Sequence, residues 1–209
     1  ARLVGSEMCI RDRSYMPNLD EIDVHAVSGE AQVRQQTKIL TTSPVVEYPV
    51  IGILDGDVRR DETISKSVTD WNSKFNPVST DRTSDDNPGW SHIGFLPGDD
   101  DPERIVFETI VDSFSNNSIA QSGPNFLAKI TQGLGLPVDQ QQWVKNTCES
   151  LQLETQDFHY IFSKLGEQLN FIAEPVVQNA FISAWCECSQ ESIEDFLRPV
   201  SNNIPVVRS

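Results

Sequence analysis

Apolar residues follow two rhythms along this chain, and one gives way to the other near Ile119. Before that point short apolar runs alternate with helical stretches. Ile22, Val24 and Ala26 alternate with other residues as in a short strand, Gly29 supplies a turn, and residues 30–40 read as a helix. Residues 41–44 break that helix. Residues 48–54, Tyr-Pro-Val-Ile-Gly-Ile-Leu, are nearly continuously apolar, which predicts a strand buried on both faces of a parallel sheet. The stretch 58–90 is polar and ends in the turn signal Asn87-Pro88-Gly89; a helix is expected over 61–75 and surface loop over much of the rest. Residues 91–96 predict another short buried strand, closed by Pro97-Gly98. Asp99-Asp100-Asp101-Pro102-Glu103 then opens a helix to about residue 114, because carboxylates complement the helix dipole and proline fixes a helical φ in the first turn.

From Ile119 onward helical patterns recur over 125–133, 138–151, 155–168, 174–187 and 190–197, punctuated by Gly, Pro or Ser and without strand-like alternation. The expected class is α/β: a partial parallel sheet over 14–115, a helical region over 116–200 and a tail over 201–209. Residues 3–13, Leu-Val-Gly-Ser-Glu-Met-Cys-Ile-Arg-Asp-Arg, resemble a translated sequencing adapter, so residues 1–13 are set aside as a non-native leader, the alternative being a genuine one. On this reading the native chain begins further upstream and the first elements are missing.

Composition narrows the function classes. At 209 residues and 38% hydrophobic content the chain has enough apolar material for a core. Its formal charge of -15 repels duplex DNA unless a local basic strip or metal ions compensate, which argues against a freestanding nucleic-acid binder. Cys9, Cys148, Cys186 and Cys188 lack paired ligand spacing and suggest neither a zinc site nor a disulfide framework, so a reducing cytoplasm is expected. The sequence contains no run of about eighteen apolar residues and no secretory signal at its start, so no membrane association is expected.

The candidate chemistry sits at Asp55-Gly56-Asp57. Two carboxylates at the end of a buried parallel strand lie where open α/β sheets place ligands. Mg²⁺ takes oxygen ligands and keeps several waters, so one or two carboxylates and substrate phosphate complete a site, with the glycine allowing a tight turn between them. An ion held there polarises a phosphoryl oxygen and generates hydroxide. Arg59 and Arg60 follow directly and are candidate phosphate contacts. The competing reading is an ordinary Asp-Gly-Asp turn that caps the next helix.

Three segments, Val27-Ser28-Gly29 with its following helix, residues 51–57, and Phe95-Leu96-Pro97-Gly98 followed by Pro102-Glu103, resemble the TOPRIM domains fused to ATPases of the OLD (overcoming lysogenization defect) family and related AAA or ABC-type defence ATPases. The resemblance spans roughly residues 22–115. It implies a partial TOPRIM-like, Rossmann-like sheet and an Mg²⁺- or Mn²⁺-dependent DNA endonuclease, of which this chain is a C-terminal fragment. Asp55 and Asp57 would be its metal-binding and catalytic residues. TOPRIM domains also use a glutamate after their first strand. That strand has no counterpart here, because residues 22–27 align with the second. No phosphate-binding G-x-x-x-x-G-K-[ST] loop occurs, so ATP would act only through a missing N-terminal ATPase domain. The fragment is therefore expected to be inactive alone, with DNA as partner of the intact protein and homo-oligomerisation open.

Asp99, Asp100 and Glu103 are secondary candidates for further metal ligands, against the plainer reading of a solvated helix start. His25, His92 and His159 are scattered and carry no assignment, and the four tryptophans read as packing anchors. Three function classes stand: the metal-dependent nuclease module, preferred; a D-x-D glycosyltransferase using a nucleotide sugar; and a non-catalytic TOPRIM-like interaction module. A phosphatase with an aspartate nucleophile is disfavoured by Arg59, two positions after the second aspartate, where a small residue is needed.

Overall fold

The computed structural model describes residues 2–4, 23–25, 27, 29–43, 49–75, 91–115, 126–154 and 157–201. Two compact units divide them. One comprises residues 1–99 together with 191–209, and the other residues 100–190.

The first unit is built on a four-stranded parallel sheet in the order β2-β1-β3-β4, with β1 Arg2–Val4, β2 Asp23–His25, β3 Val50–Leu54 and β4 Ser91–Phe95. The α/β class expected from the sequence is thus present. Arg2–Val4, inside the segment set aside as a leader, lies between β2 and β3: Leu3 pairs with Val24 on one side and with Ile51 on the other. Every residue of β3 is buried, as its unbroken apolar run requires. Helix α1, Glu30–Thr42, follows β2, and α2, Glu62–Phe75, follows β3. Both connections step in the same direction across the sheet, so the right-handed crossover rule sends both helices to one face. There Val33 of α1 and Val68 of α2 share a core with Leu54 and Ile93, flanked by Val27, Leu40, Ile64, Trp71 and Phe95.

The face that α1 buries is not the one hydropathy alone would choose. Its buried positions are Val33, Thr37 and Thr41, four residues apart. Each threonine hydroxyl donates to the carbonyl one turn back, Thr37 to Val33 O at 2.8 Å and Thr41 to Thr37 O at 2.7 Å, so neither is buried unsatisfied. Gly52 in β3 makes room for them: a Cβ there would lie 2.5 Å from Thr37 Oγ1. His92 and Gly94 alternate with Ile93 and so project to the opposite face, where Phe196 of α8, Gln190–Ser201, packs 3.5 Å from the place of a Gly94 Cβ.

The second unit is helical: α3 Pro102–Ser115, α4 Phe126–Gly133, α5 Gln141–Glu154, α6 Ile161–Gln168 and α7 Glu174–Cys188. Helix α7 packs on α3, α4 and α6. Phe181 is its fully buried centre, stacked on Phe107 of α3 at 5.9 Å between ring centroids and tilted against Phe162 of α6 at 5.6 Å. Gly133 lets α4 approach α7, since a Cβ there would come within 2.9 Å of Ala180 Cβ. The sequence boundary at 115/116 therefore moves. Helix α3 sends Phe107 and Ile110 into the helical core, and α8 groups with the sheet, so the division falls at Asp99/Asp100 and again near residue 190. Of the expected tail, 201–209, Ser201 is the last residue of α8 and 202–209 lie outside the described residues, as do 5–22 and 76–90.

Candidate functional site

The carboxyl ends of β3 and β4 leave the sheet together. Leu96 N donates to Leu54 O at 2.8 Å, so pairing between β3 and β4 persists one step past β4 before both segments turn away. Residues 55–57 and 97–99 are therefore neighbouring loops at the carboxyl edge of the sheet, the side on which open α/β sheets bind ligands.

Gly56 is buried between them. A Cβ at this position would stand 2.4 Å from Gly98 O and 3.1 Å from Leu96 O, inside any tolerable contact. Its backbone angles, φ -68 and ψ -34, are those of an ordinary right-handed residue. The glycine of Asp-Gly-Asp is thus required by the close approach of a second loop, which corrects the expectation that it serves a tight turn. The residue that does need glycine's freedom is Gly98, at φ 89.

Asp55 follows β3 directly and Asp57 begins the 3-10 turn Asp57–Arg60; both are half-buried. The helix that follows, α2, is capped by Asp61, whose carboxylate accepts from Thr63 N at 2.8 Å and Ile64 N at 3.2 Å and so satisfies donors at its start. The capping alternative raised for Asp-Gly-Asp thereby moves to its neighbour four residues on.

Arg59 is placed differently from a residue waiting for phosphate. Its guanidinium donates to Gly98 O at 2.9 Å and to Leu96 O at 3.0 Å, and it forms an ion pair with Asp99. It also lies 5.4 Å above the centre of the Phe95 ring. Arg60 is exposed on the same turn. The acidic run 99–103 does not act as one cluster. Asp99 is taken up by Arg59, whereas Asp100 belongs to the helical unit, where it pairs with Arg104 at 3.3 Å. Arg104 continues to Glu108 at 3.2 Å and lies 5.1 Å over the Phe158 ring. Asp101 O accepts Ile105 N at 3.0 Å and so begins α3, the helix-start role foreseen for this run. Glu103 is half-buried in the first turn of that helix.

Asp55 and Asp57 suit Mg²⁺ in kind, being hard oxygen donors at a sheet edge. Among the described residues no group of three or more His, Cys, Asp or Glu side chains is placed to hold a metal ion. The pair therefore fits an ion completed by water and phosphate oxygens, the usual condition of Mg²⁺, and not a cage made by these residues alone.

His92 is half-buried in β4, and burial holds its pKa below the ordinary 6.5, favouring the neutral ring. His25 and His159 are exposed, His159 resting edge-on against Tyr160. Cys148 and Cys186 are buried core residues, and Trp185 is buried too. Phe95, Leu96 and Gly98 carry no site role in the sequence reading; the signals that point to them are the Pro97-Gly98 turn at the strand's end and the resemblance that runs through Phe95-Leu96-Pro97-Gly98. Among the described residues no helix is long and apolar enough to cross a membrane. Comparison of the chain with protein-family models, curated proteins and solved structures gives no match.

Proposed function

We propose that the sheet unit is the cation-binding module of an Mg²⁺- or Mn²⁺-dependent, TOPRIM-like DNA endonuclease of the ATPase-linked OLD type, working in company with an ATPase domain on the intact protein. The observation that carries the reading is the position of Asp55 and Asp57. They stand at the carboxyl end of a fully buried inner parallel strand, the edge at which open α/β sheets place ligands, and the start of α2 is capped by Asp61. Asp55 and Asp57 would hold the ion through carboxylate oxygens. Bound, it would supply Lewis-acid polarisation of a phosphoryl oxygen and an activated water. Arg60, exposed on this turn, would be a phosphate contact.

A second reading, a non-catalytic interaction module with the same fold, draws on one observation: Arg59 is engaged by the neighbouring loop. Calorimetric titration of the full chain with Mg²⁺ and with Mn²⁺ separates the two. The nuclease reading expects binding to the wild type that disappears in the Asp55→Ala, Asp57→Ala double variant while thermal unfolding stays within about 1 kcal/mol, as for substitutions away from the core. A folded wild type that takes up neither ion would overturn it in favour of the interaction module.

A further inference from the structure

We propose that Arg59 is the positioning residue of the strand-end site: it fastens the Asp55-Gly56-Asp57 turn to the loop of residues 96–99, and its anionic partner is Asp99 and not a phosphate. A guanidinium grips oxygen through a rigid fork of N–H donors. Here one terminal nitrogen serves both Gly98 O and Asp99, and the other serves Leu96 O. The end of the fork that would meet a phosphate in two parallel bonds is thereby occupied within the protein. All three acceptors lie 37 to 40 residues away in sequence, so a single side chain joins two loops. The Phe95 ring lies beneath it, 5.4 Å from its central carbon.

The backbone of Arg59 transmits this grip to the carboxylates. Arg59 N donates to Gly56 O at 3.1 Å, and Arg59 O accepts the Ser65 hydroxyl at 2.6 Å. The residue is thus held on one side by the turn that carries Asp57 and on the other by the first turn of α2. Gly56 is in turn pressed against Gly98 with no room for a Cβ. Loosening the fork frees residues 96–99, and with them the surface against which the Asp55-Gly56-Asp57 turn rests. An ion-pair contact of this exposure contributes little stability by itself. Its effect is local order.

The consequence for cation affinity rests on the Mg²⁺ reading above; the fastening itself does not. The full chain is compared as wild type, Arg59→Ala, Arg59→Lys and Asp99→Asn by hydrogen exchange and by Mn²⁺ binding read from the paramagnetic resonance of the free ion. Arg59→Ala is expected to speed exchange in residues 55–60 and 97–99 together, with β3 and α1 unchanged, and to weaken Mn²⁺ by about 10–100-fold, the usual cost of losing a group that orients ligands. Arg59→Lys keeps an ion pair with Asp99 but not both carbonyl bonds and falls between the two. Asp99→Asn gives a smaller change in the same places. Unchanged exchange at 97–99 in Arg59→Ala, or a lysine variant equal to wild type in both readouts, overturns the proposal. A wild type that binds no Mn²⁺ overturns the cation reading, and the exchange measurements then decide the role of Arg59 alone.

Discussion

At the scale of single residues, the site is distinguished by what its neighbours have already taken on. Asp61 caps α2 and Asp99 pairs with Arg59, while Asp55 and Asp57 stand at the carboxyl end of β3. Gly56 shows how residue type is dictated by space. Gly56→Ala would drive a methyl into Gly98 O and should cost about 1–3 kcal/mol, the range for overpacking, measured by urea unfolding; a cost below the scatter of such curves would mean the two loops are not in contact. His92 sets a pH dependence. Its folded pKa lies below the ordinary 6.5, so the folded state binds fewer protons than the unfolded chain there. Its contribution to stability is fully present above about pH 6.5 and is lost as pH falls through the folded value. Unfolding midpoints followed from pH 8 to pH 5 should show this slope in the wild type and a flatter one in His92→Gln; identical slopes would remove His92 from the account.

Elements were legible where one kind of pattern ruled, and obscure where burial ran against hydropathy. The apolar run 48–54 marked β3 because a strand covered on both faces has no polar positions to show, and Val50–Leu54 is what formed. The buried face of α1 was hidden because two of its three members are threonines, whose hydroxyls are satisfied by their own helix and whose small volume Gly52 matches. The edge of the sheet was hidden too. β4 is an outer strand, and the amide and carbonyl of Ile93 that face away from β3 are met by one side chain, Asn72 of α2: Ile93 N donates to Oδ1 and Nδ2 donates to Ile93 O, each at 2.8 Å. Trp71 Nε1 adds a bond to Ser91 Oγ at 3.0 Å. An open edge invites pairing with another chain, and a carboxamide that imitates a strand closes it. No sequence pattern announces such a contact, because it joins a polar helix position to a backbone 21 residues away. Asn72→Ala should destabilise by about 1–3 kcal/mol through the two unpaired backbone groups and raise aggregation on warming. Light scattering alongside thermal melts tests both, and a variant that melts and scatters like the wild type would show that the edge needs no cover.

For the whole molecule, the sequence conveyed the order of strands and helices after the leader, but not the strand β1 within it, nor the allegiance of the helices. Its change of rhythm near Ile119 is real, yet α3 lies before it and belongs with the helices, while α8 lies beyond it and belongs with the sheet. Both are amphipathic helices, and an amphipathic pattern states that one face is buried without stating against what. Allegiance is decided by fit: Phe107 of α3 stacks on Phe181, and Phe196 of α8 fills the space that Gly94 leaves beside His92. The proposed TOPRIM-like reading, which rests on residues 27–29 with their following helix, 51–57, and 95–98 followed by Pro102-Glu103, speaks only for the sheet and its edge, not for the helical unit. Each unit has its own fully buried centre, Phe181 in one and the residues of β3 in the other, and cores so divided should lose structure separately. Phe181→Ala, which empties the middle of the helical core, should cost about 3–5 kcal/mol there. In native-state hydrogen exchange it should lower protection throughout α3 and α7 and leave β3 and α2 as they were, with Gly56→Ala giving the converse pattern. If instead either substitution lowers protection equally in both sets of elements, the chain unfolds as one cooperative body, and the strand-end site draws its order from the helical unit as well as from the sheet.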